Sequence, residues 1–224
     1  MKAQLIDSHD SQNSVASAML NFDKLRDTPL KRTPYDYLTL AKFINSAEFN
    51  GIFEQFPRVA KGGSWPVENL SYGDKFRQLI AELESETLRQ IIAEKFSVDL
   101  SDKPTMITIR GQGRSKDGGI HTDSLDKIIT LLLYVNQDWP HSGGRLRILR
   151  NGTDINDYAE EIEPVQGNLL IFRRSDHSWH GHLPAADQRL SLQMNWMIDQ
   201  KSRDSELKRH HRTAWLKKFF HGGY

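Results

Sequence analysis

The chain contains no cysteine. Disulfide frameworks, thiolate metal sites and cysteine nucleophiles are thereby excluded, and any metal must be held by His, Asp or Glu. Long apolar runs are missing as well. No stretch approaches the roughly 18 residues of a membrane-spanning helix, and the polar opening MKAQLIDSHDSQNS lacks the apolar centre of a signal peptide. The expectation is a cytoplasmic protein without a membrane span. Nor does one sign of charge dominate: 30 Lys plus Arg stand against 29 Asp plus Glu. No global field attracts phosphates, and nucleic acid is not an expected partner. There is no internal repeat and no low-complexity tract. What remains is 224 residues, 38% hydrophobic and 26% charged, enough for one substantial core and too few for several independent enzymes.

Hydrophobic periodicity divides the chain. Residues 1–33 are poor in apolar period and read as a flexible or loosely packed N-terminal arm. Residues 34–104 read as a helical support region. Within them Phe49, Ile52, Phe53 and Phe56 recur at helical spacing, after a short apolar strand or turn. A second helical stretch starts near Asp74, a predicted N-cap, and carries Phe76, Leu79, Ile80 and Leu83, then Leu88, Ile91, Ile92 and Phe96, with Ser85 dividing it. From Met106 the period changes to two: MITIR, IITLLLYV, RLRILR, then a polar loop, then NLLIF, HSWHGH and RLSLQMNWMI. Helices followed by strands predict an α+β protein. Residues 105–198 are expected to form a double-stranded β-helix, or jelly-roll, core. Residues 199–224 form a basic amphipathic helix with Leu207, Trp215, Leu216, Phe219 and Phe220, expected to pack on the core so that the whole is one structural domain.

Two stretches carry candidate chemistry. In GGIHTDS stand His121 and Asp123; in an extended segment residues i and i+2 face the same way, so imidazole and carboxylate can hold one ion. A surface ion pair in a glycine-rich loop has the same sequence. The second stretch, RRSDHSWHGHLP, holds His177, His180 and His182. A histidine from it on another strand would complete a two-histidine, one-carboxylate face of the kind that binds Fe(II) with opposite positions open. Downstream, Arg189, Ser191, Gln193 and Asn195 alternate with Leu190, Leu192, Met194 and Trp196. A guanidinium heading that polar face can grip a carboxylate through two parallel hydrogen bonds.

The order His-x-Asp, IITLLLYVNQDW, GGRLRIL, EPVQGNLLIF, SWHGH and QRLSL resembles the 2-oxoglutarate- and Fe(II)-dependent dioxygenases, in particular their prolyl-hydroxylase-like branch. The resemblance spans about residues 105–198, and YDYLTLAKFINSAEFNGIFEQFP resembles the helical entry segment of that branch. It implies His121, Asp123 and His180 as catalytic metal ligands, since His180 lies nine residues before Arg189, the interval the branch uses. It further implies that Arg189, Tyr134 and Ser191 bind 2-oxoglutarate, the first two at its distal carboxylate. His182 is then a candidate neighbour of the metal and His177 a bystander. Gly111 departs from the pattern, because the branch carries a tyrosine near that point.

The implied cofactors are Fe(2+), 2-oxoglutarate as co-substrate and O2, with ascorbate as reductant. The implied activity is hydroxylation of an unactivated C–H bond in a protein residue such as proline, or in a small molecule, with release of succinate and CO2. Asp123 favours hydroxylation over halogenation, because halogenating members lack the carboxylate. Arg110, Gln112, Arg145 and Arg147 are candidates for the entrance. Competing readings are a cupin-like Zn-dependent hydrolase or isomerase on the same ligands and a noncatalytic jelly-roll binding module. Arg189 separates the first competitor, because hydrolysis needs no clamp for a second carboxylate. Oligomeric state has no sequence signal.

Overall fold

The computed structural model describes residues 18–59, 62–185 and 187–219, with side chains described to residue 210. Apolar spacing becomes helix where expected. Helix α1 spans Phe22–Asp27, strand β1 Tyr37–Leu40 and helix α2 Ser46–Gln55. Helix α2 buries Phe49 and Ile52 and stops at Phe56, because Pro57 disfavours helical geometry in the residue before it. Strand β2 (Trp65–Pro66) and a 3-10 turn (Val67–Asn69) lead to α3 (Asp74–Leu83) and α4 (Glu86–Phe96). Asp74 is the first residue of α3 and not its cap. Gly73 holds the cap position, and Gln55 Oε1 accepts from the Lys75 amide at 2.8 Å. Ser85 does divide the helical stretch: its Oγ caps α4 by accepting from the Leu88 amide.

Seven further strands and a helix follow among the described residues: β3 (Thr105–Gln112), β4 (Lys127–Tyr134), β5 (Leu146–Leu149), β6 (Tyr158–Ile162), β7 (Leu169–Arg173), β8 (His180–Gly181), β9 (Gln188–Met197) and α5 (Gln200–Phe219). A six-stranded sheet runs β1-β7-β4-β9-β3-β2 and a three-stranded sheet β6-β5-β8, and every ladder is antiparallel. The protein is therefore α+β with two antiparallel sheets.

Alternation assigns the two faces of the larger sheet. Ile129, Leu131 and Leu133 of β4 join Leu190, Leu192, Met194 and Trp196 of β9 in one core with Leu79, Leu83, Ile91 and Phe96 of the helices. The opposite face sends Tyr37, Leu132, Tyr134, Leu170 and Phe172 into a second core with Leu146, Ile148 and Ile162 of the smaller sheet. Each fully buried Leu, Ile or Phe contributes about 1.5–3 kcal/mol. The first core fixes the helices on the larger sheet and the second holds the two sheets face to face, with the polar residues of that second face pointing between them.

Two segments, β6 and the described part of the arm, depart from expectation. Strand β6 lies where a polar loop was expected, because YAEEI gains its place through ion pairs: Glu160 with Lys31 at 2.5 Å and Glu161 with Arg147 at 2.6 Å. The described part of the arm is packed. Met19, Leu20 and Leu25 are buried, and the amides of Met19 and Leu20 donate to the Glu82 carboxylate; residues 1–17 lie outside the described residues. The first half of α5 docks through Arg203, which donates to the Thr105 carbonyl at 2.7 Å and pairs with Glu68 at 2.9 Å. The side chains of Trp215, Leu216, Phe219 and Phe220 lie outside the described residues. Among the described residues no helix is long and apolar enough to cross a membrane.

Candidate metal centre and its cavity

His121 and His180 are brought together by the backbone. They form an isolated antiparallel bridge in which each amide donates to the other's carbonyl at 3.0 Å. Their rings stand 4.4 Å apart between centroids. Asp123 comes from the segment between this bridge and β4, so the His-x-Asp sits outside the named strands, although its two side chains still converge. One ligand atom from each of His121, Asp123 and His180 falls within 4.8 Å of the others.

The hydrogen bonds behind the imidazoles set their chemistry. Nδ1 of His121 lies 2.8 Å from the Gly119 carbonyl, and Nδ1 of His180 lies 2.9 Å from that of Ser178. A carbonyl only accepts, so Nδ1 carries the hydrogen in both rings and Nε2 is the nitrogen left to face an ion. Burial lowers the His180 pKa to about 4 against the opposing pull of Asp123. The imidazole is thus neutral near pH 7, as a ligand must be.

Asp123 is held by residues that sequence reasoning missed. Burial alone would raise its pKa, but the Lys127 and His180 charges and the Thr130 hydroxyl bring it down to about 2. Lys127 Nζ donates to Oδ1 at 3.0 Å and Thr130 Oγ1 to Oδ2 at 2.5 Å. Behind Thr130 the chain continues: Asn195 Nδ2 donates to Thr130 Oγ1 at 2.8 Å, and Gln193 Nε2 to Asn195 Oδ1 at 3.0 Å. One signal was available. Thr130 is the polar residue in the apolar run IITLLLYV, two positions before Leu132 and four before Tyr134, hence on the cavity side. The neutral His180 imidazole, the His121 ring anchored through Nδ1 and the ionised Asp123 carboxylate fit a divalent ion with open coordination positions.

A cavity of about 570 Å³ opens over the triad and extends to Arg189 and His182. Arg189, buried, donates from Nε to the Gly144 carbonyl at 2.6 Å and from Nη2 to the Tyr134 hydroxyl at 3.0 Å. Its guanidinium stands 4.9 Å from the centre of the Tyr134 ring. Tyr134 is fully buried. Burial raises its pKa, opposed by Arg189, so the phenol is neutral; having accepted from Arg189, it still has its own hydrogen to give. Ser191 Oγ is buried without a hydrogen-bond partner among the described residues. An unsatisfied hydroxyl beside a buried guanidinium is the arrangement a ligand carboxylate would complete.

The other candidates separate clearly. His182 lines the cavity, with Nδ1 against the Leu183 carbonyl at 2.8 Å. Burial, then the Arg189 charge, lowers its pKa to about 4. It is not in the three-residue cluster and has the arginines as its charged neighbours, so it borders the Arg189 end. His177 is exposed. Arg110 lines the cavity, whereas Gln112 does not. Arg145 and Arg147 are engaged in the smaller sheet by Glu163 and Glu161. Gly111 has a local reason: a Cβ there would lie 2.6 Å from the Val59 carbonyl oxygen, and the β3–β9 register shifts between Arg110 and Gln112.

Comparison with known proteins bears on this arrangement. Residues 109–197 match the family model described as the 2OG-Fe(II) oxygenase superfamily. None of the curated proteins matches the chain. Among solved structures, a Pseudomonas putida prolyl-4-hydroxylase is similar at 20% identity and a TM-score of 0.54, over 79% of this chain and 90% of that one. A prolyl 4-hydroxylase from Phytophthora capsici is similar at 17% identity and a TM-score of 0.50, over 81% of this chain and 62% of that one. At these identities the likeness is one of fold.

Proposed function

We propose, from the match of residues 109–197 to the model of the 2OG-Fe(II) oxygenase superfamily, that this chain is such an oxygenase, using Fe(2+), 2-oxoglutarate and O2, and we assign its residues to that work. His121, Asp123 and His180 hold the iron. Arg189 holds the distal carboxylate of 2-oxoglutarate, assisted by the Tyr134 hydroxyl and by Ser191. The two sheets are read as a jelly roll whose interior is the active site. The reaction hydroxylates an unactivated C–H bond of a protein residue, such as proline, or of a small molecule. One oxygen atom of O2 enters the new hydroxyl and the other enters succinate, as 2-oxoglutarate loses CO2.

The observation that carries this reading is the pairing of the two-histidine, one-carboxylate cluster with a buried guanidinium in one cavity. A hydrolytic zinc site would have no use for the second feature. The iron, when bound, supplies the oxidising chemistry; the protein's part is placement. The Lys127–Asp123–Thr130 contacts fix the carboxylate, and the carbonyls of Gly119 and Ser178 fix the ring faces. The buried Arg189–Tyr134 pair holds the co-substrate in one orientation and excludes water from its carboxylate.

Anaerobic addition of Fe(II) and 2-oxoglutarate is expected to give a weak visible charge-transfer band. His180→Ala abolishes it, and Arg189→Ala weakens 2-oxoglutarate binding. If His182→Ala removes the band while His180→Ala leaves it, the ligand set is wrong. Succinate formation across a panel of peptides and metabolites then identifies the substrate.

A further inference from the structure

The cavity contains more cations than its own acids can neutralise. Asp117 is taken by Arg114, at 2.6 Å, and Asp123 by Lys127, at 3.0 Å. Glu206, from α5, is taken by Arg209. Arg189, Arg110 and Lys116 are left lining the cavity, and Lys116 is exposed to solvent. Arg189 donates to the Gly144 carbonyl and Tyr134. The Arg110 side chain has no hydrogen bond or ion pair among the described residues.

Its position is set by the sheet. Arg110 stands opposite Ser191 in the β3–β9 ladder, so it shares the inward face with Ser191 and lies diagonally next to Arg189. Thr108 and Met106 continue that face towards the triad, and both line the cavity. Burial lowers the Arg110 pKa and the neighbouring Arg189 charge lowers it further, with Asp117 only partly opposing. A recessed guanidinium beside a second one, with no acid of its own, is costly to keep unless a ligand anion arrives.

The co-substrate does not provide that anion on the reading above. Its distal carboxylate answers Arg189, and its other carboxylate, together with Asp123, answers the charge of the iron. We propose that Arg110 seats a carboxylate of the primary substrate, so that this oxygenase acts on an acidic molecule. The inference rests on the Fe(II)/2-oxoglutarate assignment of the site. Arg110 is a specificity-determining residue: it orients the substrate through its acid group, and a neutral analogue leaves a cation unpaired in the cavity, the kind of penalty that discriminates strongly.

The test uses the full chain loaded with Mn(II) and saturating 2-oxoglutarate, with N-acetyl-L-aspartate α-methylamide, which carries one carboxylate, and its neutral isostere N-acetyl-L-asparagine α-methylamide as probes in isothermal titration calorimetry. The expected result is that the acid binds and the amide does not. Arg110→Gln then weakens acid binding roughly ten- to a hundredfold, as loss of a charge-assisted hydrogen-bond pair does, while 2-oxoglutarate affinity is unchanged. Arg110→Lys, which keeps the charge and loses the fork, falls between them, and thermal unfolding of each variant checks the fold. The proposal is overturned if the wild-type protein binds acid no better than amide, or if Arg110→Gln leaves acid binding intact. It is also overturned if Arg110→Gln weakens 2-oxoglutarate instead, which would make Arg110 part of the co-substrate clamp. Failure of the underlying assignment looks different: 2-oxoglutarate would not bind the Mn(II)-loaded wild-type protein, or Arg189→Ala would bind it as tightly.

Discussion

Replacing Thr130 by valine tests whether the cavity-side face of the larger sheet positions Asp123. The side chain keeps its shape and loses its hydroxyl. Thr130 is buried, donates to Asp123 Oδ2 at 2.5 Å and accepts from Asn195 Nδ2 at 2.8 Å. Two costs follow. A hydrogen bond to a charged acceptor is worth about 1.5–3 kcal/mol, and the Asn195 donor left unpaired in a buried site costs a further 1–3 kcal/mol or so. With partial relaxation, the metal-free protein should lose about 3 kcal/mol of unfolding free energy in urea denaturation, whereas Thr130→Ser, which keeps the hydroxyl, should lose about 1 kcal/mol. Metal affinity should fall by about ten- to a hundredfold, the usual result of removing a group that orients a ligand. A Co(II) titration followed by its visible spectrum reads this directly. If Thr130→Val matches the wild-type protein in both measurements, the Asn195–Thr130–Asp123 relay has no energetic role and the account of Asp123 is wrong.

Two further outcomes are expected. The pKa of His180 is about 4 in the folded protein against 6.5 when free, so between these values the unfolded chain binds the proton that the folded one refuses. Unfolding free energy of the metal-free protein therefore falls as pH drops from about 6.5 to about 4, by about 3 kcal/mol for this group. His182 adds a loss of the same sign over the same window. A flat urea midpoint across that range would refute the burial of both rings. Gly111→Ala places a Cβ 2.6 Å from the backbone oxygen of Val59, which cannot swing aside, and should lower the melting temperature by an amount equivalent to about 1–3 kcal/mol; an unchanged melting temperature would show that this close approach is absent.

Much of the architecture follows from period alone. The helical spacing of Phe76, Leu79, Ile80 and Leu83 and the twofold spacing of Leu190, Leu192, Met194 and Trp196 state which side of each element is buried, because burial is the dominant favourable term and periodicity is its imprint. Strand β6 escaped that logic. Its place depends on ion pairs with Lys31 and Arg147, residues 129 and 14 positions away along the chain, and charge pairing leaves no period. The packing of residues 18–33 is hidden from period for a related reason, since Glu82 on α3 satisfies the amides of Met19 and Leu20 and only the folded chain brings the two together.

The site divides in the same way. Its residue types, the absence of thiols, the His-x-Asp spacing and the interval from His180 to Arg189 are properties of the chain as a string of letters. The choice of His180 among three histidines is what the family resemblance implies through that interval, since strand parity puts His180 and His182 on the same side. Which nitrogen of each imidazole its backbone carbonyl engages, that His182 borders Arg189 and lies outside the cluster of His121, Asp123 and His180, and that Thr130, Asn195 and Lys127 hold Asp123 were decided only by tertiary structure. So was the isolation of Arg110, whose sequence neighbours say nothing about whether an acid will reach it. Hydrogen bonds and charge compensation act over a few ångströms between segments tens of residues apart, and only the fold decides which segments those are.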